Sequence, residues 1–253
     1  MSDLNVLIEE GVARLVFDRP SALNALTPST LTGLIEACAD LEKNDSVRVV
    51  VLEGAGDCFS AGADLPAFLS LMGNIDAADT ADLGRRATNA VAELPQITVA
   101  GIRKHCVGGG LVLAGACDIR IAADDARFAI PELDAGIPLG WGATEHVVRL
   151  MGESLAADLI LTGRPFGADE ALRSGLISRI VAVDRLSEEL AALVGAVARK
   201  PLSVLRATKR QLIAVRGGTF DAREDAAVLL SALKDPEALA VGQRYLMERM
   251  RKG

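Results

Sequence analysis

The sequence predicts an α/β fold, with a βα core to about residue 190 followed by a helical C-terminal extension. Three observations carry this reading. The first half alternates short β-rich runs with segments of helical period. One run, 47–52, is apolar but for Arg48, as a strand buried on both faces is. From Leu186 onward the chain consists of amphipathic helices separated by Lys200-Pro201, Gly217-Gly218 and Asp235-Pro236.

Taken in order, residues 5–8 and 12–17 are β-rich runs around Glu9-Glu10-Gly11 and predict a hairpin. Thr27 caps a helix with Pro28 at its first position, and Leu31, Leu34, Ile35, Cys38 and Leu41 fall on one face. The strand at 47–52 follows, then a helix ending near Leu94 and a strand at 98–102. Gly108, Gly109 and Gly110 open a short apolar helix, and a strand is expected at 119–122. Past Trp141, helices are expected at 144–151, 154–161 and 168–174, with a β run at 179–183. The domain boundary is therefore drawn at 190, with residues 191–253 forming the helical region.

Composition excludes several classes. A chain of 253 residues, half of them hydrophobic, can bury one large core, and with only 3% aromatics that core must be Leu, Val, Ile and Ala. The net charge, 27 minus 34 or −7, comes with no basic run and no interleaved aromatics, so no nucleic-acid partner is expected. Cys38, Cys58, Cys106 and Cys117 form no C-x-x-C pair, and the only histidines are His105 and His146. Neither a metal site nor a disulfide framework is suggested, and reduced thiols fit a cytoplasmic protein. The opening MSDLNVLIEEG carries acids where a signal peptide needs a basic segment. Every apolar run stops short of about 18 residues, so no membrane partner is expected.

The stretch 106–118, CVGGGLVLAGACD, is the strongest chemical signal. Without a Cβ, a ligand can approach the backbone closely. N–H groups at a helix start have no intrahelical partner and carry partial positive charge, which suits an anion or a carbonyl oxygen becoming one. A packing device or a flexible loop is the competing explanation.

Three further segments accompany it: RPSALNAL at 19–26, FSAGADL at 59–65, and FAIPE at 128–132 running into GIPLGW at 136–141. In this order and spacing they resemble the crotonase, or enoyl-CoA hydratase/isomerase, superfamily. The likeness runs from about Arg14 to Val183 and includes LTGRPF at 161–166. It implies a spiral of βαβ turns, self-association into trimers or hexamers through the C-terminal region, and an acyl-CoA thioester substrate with no separate cofactor. By the same resemblance, the backbone N–H groups of Ala63 and Gly109 form an oxyanion hole, with Gly110 beside it. CoA is expected against Ala22 and Leu23, and against the loop holding Ala61, Asp64 and Leu65. Lys209 is a phosphate or adenine contact by this reading, or a solvated helix charge. Asp64 also reads as a structural residue that caps local backbone donors.

The resemblance breaks at one decisive place. Hydratases of the family use two glutamates, one three residues after the middle glycine and one in the Pro-Glu segment. Here these are Val112 and Glu132. A lone carboxylate suits a different reaction, the transfer of a proton from C2 to C4 of a 3-enoyl thioester, as in the family's 3,2-enoyl-CoA isomerases. For that role Glu132 should sit in apolar surroundings that raise its pKa. Other departures are a segment at 136–138 one residue short, and Arg103-Lys104 where the family commonly has Asn-Gly. Trp141 reads either as a wall of the acyl pocket or as core, His105 as packing, and His146 as facing core or solvent. Three functions follow: an enoyl-CoA isomerase; a hydratase with altered acid-base residues such as Asp134 or Glu145; and a non-catalytic acyl-CoA binder.

Overall fold

A computed structural model describes residues 3–71 and 77–251. Its strands are β1 (Leu4–Glu9), β2 (Val12–Phe17), β3 (Val49–Gly54), β4 (Ile97–Ile102), β5 (His105–Val107), β6 (Ile119–Ala123), β7 (Arg127–Ala129), β8 (Phe166–Gly167) and β9 (Arg179–Val181). The helices are α1 (Pro28–Glu42), α2 (Leu65–Leu71), α3 (Ala77–Glu93), α4 (Gly109–Ala116), α5 (Ala143–Met151), α6 (Glu153–Thr162), α7 (Ala168–Ser174), α8 (Leu186–Ala198), α9 (Leu202–Arg216), α10 (Asp225–Ala232) and α11 (Pro236–Met250).

Two sheets organise the chain. The larger has the order β1-β2-β3-β4-β6-β9, antiparallel only at the β1–β2 hairpin, and the smaller has the order β5-β7-β8. From β4 the chain passes to β5, returns to β6, passes to β7, and comes back through β8 to β9. Each such pass is one turn of a βαβ spiral, and the small sheet stands beside the start of α4. The small sheet is absent from the sequence reading. Its strands have only two or three residues, too few to show a period.

The central strands β3 and β4 are covered on both faces, which is why they read as largely apolar runs. Along β3, Val50 and Leu52 join the core under α1, α3 and α4, while Val49 and Val51 join a second cluster with Leu186, Leu190 and Val194 of α8. Core packing therefore runs past the boundary drawn at 190, which falls inside α8. Thr27 caps α1 as expected: its hydroxyl accepts from Thr30 N–H, and Thr30 Oγ1 accepts from Thr27 N–H. Among the described residues no helix is long and apolar enough to cross a membrane.

Candidate active site

The site is assembled where the 59–64 loop runs alongside β5 and α4. Ser60 N–H donates to His105 O (2.9 Å) and Val107 N–H to Ser60 O (3.1 Å), so the loop and β5 pair like short parallel strands. Further on, Leu26 N–H donates to Gly62 O and Asp64 N–H to Leu26 O. Ala63 lies between these bonds, and its N–H takes no acceptor among the described residues. Gly109, the first residue of α4, likewise has no backbone acceptor for its N–H. The two backbones are close, since a Cβ built on Gly62 would lie 3.5 Å from Gly109 N and 2.8 Å from Val107 O. Two adjacent unpaired donors are a place for a developing negative charge.

Glu132 reaches this place through the small sheet. The β5–β7 register sets Val107 opposite Ala129, and Gly108 N–H donates to Ala129 O (3.0 Å). Three residues later the Glu132 carboxyl lies against Gly108, where a Cβ would come within 2.6 Å of Oε1. Gly108 also has φ +49°, so the position favours glycine on both grounds. Glu132 Oε2 is buried without a hydrogen-bond partner. Burial pushes its carboxyl above the usual glutamate range, against a smaller opposing effect of its own backbone N–H.

The other side of Gly109 is apolar. Val112 is buried, and at i+3 it shares the helix face of Gly109. Trp141 covers that face: a Cβ on Gly109 would collide with indole Cζ3, and one on Gly84 of α3 with Cε2 and Nε1. Phe68 of α2 stands 6.1 Å away, tilted by 44°. Trp141 itself has φ +62°, a conformation that costs a bulky residue roughly 1–3 kcal/mol.

The comparisons agree with this architecture. The model of the enoyl-CoA hydratase/isomerase family matches residues 7–227. The chain belongs to the enoyl-CoA hydratase/isomerase family. Among its relatives, the crotonyl-CoA hydratase of Syntrophomonas wolfei is 33% identical over 208 residues, covering 81% of this chain and 80% of that protein. The short-chain-enoyl-CoA hydratase of Clostridium acetobutylicum is 39% identical over 180 residues, covering 70% and 69%. The crystal structure of enoyl-CoA hydratase from Bacillus anthracis superimposes with a TM-score of 0.89 at 28% identity, covering 97% of this chain and 96% of that one.

In this acyl-CoA-processing enzyme three residues expected at the substrate lie elsewhere or act otherwise. Lys209 is neither a CoA contact nor a solvated charge. It is 0% exposed and its Nζ lies 2.7 Å from Asp118 Oδ2, so the ammonium is spent inside the protein. Asp64 is structural: Oδ2 pairs with Arg19 (2.9 Å) and Oδ1 accepts from Ala67 N–H (3.1 Å), capping α2. Arg19 and that N–H hold its carboxyl below the usual aspartate range. Gly110 faces inward, since a Cβ there would meet Ser60 Cβ at 2.8 Å; its smallness serves packing.

Of Ala22, Leu23, Ala61 and Leu65, the structure joins Leu23 and Ala61. Ala61 N–H donates to Leu23 O (2.9 Å), and Leu23 and Leu65 are exposed apolar side chains. His105 is exposed rather than packed, and His146 is half-buried beside Arg149. Burial pushes the His146 imidazole below its ordinary value, helped by Arg149. Asp134 lies against Gly163, at the end of α6, and Glu145 is exposed on α5.

Two positioning residues escaped the sequence reading. Buried Asn24 accepts from Arg19 N–H and donates to Ala55 O and Cys58 O, clamping the 19–26 turn to the loop before Ser60. Gly84 makes room for the indole. Asn24 stands inside RPSALNAL at 19–26, whereas Gly84 has no signal beyond being a glycine in a helix. Lys104 explains one departure: with φ +46° it occupies a left-handed turn that suits glycine, held by Asp57 (2.9 Å) and Asp125 (3.3 Å).

Proposed function

We propose that the protein is an enoyl-CoA isomerase that converts a 3-enoyl thioester into the 2-enoyl thioester through a dienolate. The observation that carries this reading is one carboxyl, Glu132, held against Gly108 with Oε2 buried and unpartnered, while Val112, not a second carboxylate, stands on α4. In this mechanism the Ala63 and Gly109 N–H groups hold the thioester oxygen. The Glu132 carboxylate takes a proton from C2, and the C–H electron pair spreads through the dienolate onto that oxygen. The acid then returns the proton to C4, the C3=C4 bond becomes C2=C3, and no water is consumed. Losing one of the two N–H donors would cost about 3–4 kcal/mol of transition-state stabilisation. CoA lies along Ala22, Leu23, Ala61 and Leu65, and needs no further cofactor.

The names of the relatives favour a second reading, hydration. That reaction benefits from a group that activates water and another that manages the C2 proton, each worth typically 100-fold or more. Val112 can do neither, so Glu132 would have to do both. A third reading, acyl-CoA binding without turnover, leaves a buried carboxylate with a raised pKa unused. We also infer self-association into a trimer or hexamer through residues 191–253, and a cytoplasmic setting, which four buried free thiols support.

Wild type, Glu132→Gln and Val112→Glu, each offered crotonyl-CoA and a 3-enoyl-CoA, separate these readings. The proposal expects isomerisation by the wild type, its loss by 100-fold or more in Glu132→Gln, and hydration gained in Val112→Glu. Rapid hydration of crotonyl-CoA by the wild type overturns it. Acyl-CoA binding without turnover, unchanged in Glu132→Gln, supports the third reading.

A further inference from the structure

Gly84 lies in the interior of α3, where glycine is a poor helix former, and Gly109 opens α4. Between them they form a slot for one side chain. A Cβ on either would strike the Trp141 indole, the six-membered ring at Gly109 and the pyrrole edge at Gly84. Phe68 closes a third side. The backbone of Trp141 is held at φ +62°, a conformation that bulky residues avoid unless their surroundings enforce it. A strained aromatic gripped by two glycines, one of them beside the unpaired N–H donors, is a built feature of the site rather than core filling.

Its position has a chemical consequence. With the thioester oxygen at Ala63 and Gly109, C2 faces Glu132 on the Gly108 side and CoA leaves along Leu23 and Leu65. Carbons beyond C4 must then run along the Gly109–Val112 face of α4 toward α3. The indole stands across that path, lodged against α3.

We propose that Trp141 sets the acyl-chain length of this enzyme, acting as a stop that admits short acyl groups and excludes longer ones. This rests on the acyl-CoA reading above. The Gly84–Gly109 slot and the left-handed backbone fix the stop in place, and Val112 keeps the space in front of it apolar.

The test measures binding of saturated acyl-CoAs, which need no turnover, from acetyl through decanoyl by calorimetry on wild type, Trp141→Ala and Trp141→Phe. For the wild type, affinity should rise to butanoyl or hexanoyl and then stop or fall. In Trp141→Ala it should keep rising through decanoyl, by about fourfold in Kd for each methylene taken into the opened space. Trp141→Phe, which keeps an aromatic ring in the slot, should gain one or two methylenes and guards against a folding defect in the alanine variant. Trp141 is the only tryptophan of the chain, so its emission reports on the slot directly. Saturating butanoyl-CoA should shift the wild-type spectrum. Equal chain-length profiles in all three proteins, or a wild type that binds decanoyl-CoA as its best ligand, overturn the role of Trp141 and leave the acyl-CoA reading standing. Failure of the wild type to bind any acyl-CoA overturns both.

Discussion

In the proposed mechanism Glu132 couples catalysis to stability. Burial raises its pKa, so the native state holds the proton more tightly than the unfolded chain does. Below the unfolded value, about 4.3, both states are protonated and there is no difference. As pH rises through the folded pKa, the buried carboxylate ionises at a cost and the native state loses stability. In the proposed mechanism the same ionisation makes the base. The pH profile of kcat/KM should therefore rise through a pKa above the ordinary glutamate range, while Glu132→Gln, with no charge to bury, should be more stable than wild type at pH 7 and equal to it near pH 3. Urea denaturation at both pH values checks this; a stability loss at pH 7 would contradict it. The motif pointed to Glu132 because the Pro-Glu segment and the glycines are both local signals. Lys209 lies in no motif, and its burial depends on Asp118, 91 residues earlier in sequence.

That pair belongs to the scale of elements, where it fastens α9 to the sheet. Asp118, 4% exposed, accepts from Thr98 N–H and Oγ1 at the start of β4, and from Lys209 and Arg216 of α9. Burial alone would push its carboxyl up; the Lys209 and Arg216 charges and the Thr98 N–H overcome this and hold it below the usual aspartate range. Removing one partner of a buried pair leaves the other uncompensated, at about 3–5 kcal/mol. Asp118→Asn should lose that much at pH 7. Because the folded pKa is depressed, the contribution is present above the unfolded value, about 3.9, and is lost as pH falls through the folded one. The deficit should therefore shrink in strong acid, and a deficit constant with pH would argue against the ion pair. Hydrophobic period and capping residues made α1, the hairpin and the buried strands legible. The β5-β7-β8 sheet and the Gly84 slot were not, because each is defined by contacts between segments rather than by a pattern within one.

At the scale of the molecule, the last two helices pose a problem that their own sequence cannot solve. Neither α10 nor α11 has a buried residue, and Leu229, Leu230, Leu233, Leu246 and Met247 are each more than half exposed. The α11 cap at Asp235 and the ion pair of Arg48 with Glu237 (2.7 Å) hold only the start of that helix. Isolated helices of about 12–15 residues are marginal in water, and most helical stability comes from packing an apolar face. Exposed apolar surface on this scale marks an interface. The self-association through 191–253 proposed above would supply the missing partner, and on that proposal a trimer or hexamer is the expected species by light scattering. Replacing Leu230 and Leu246 together by Asp puts two charges into that interface. The variant should shift to monomer, with loss of helical circular dichroism from α10 and α11, while the spiral core keeps its own unfolding transition. A wild type that is monomeric at micromolar concentration, with full helical content, would show that these helices stand without a partner.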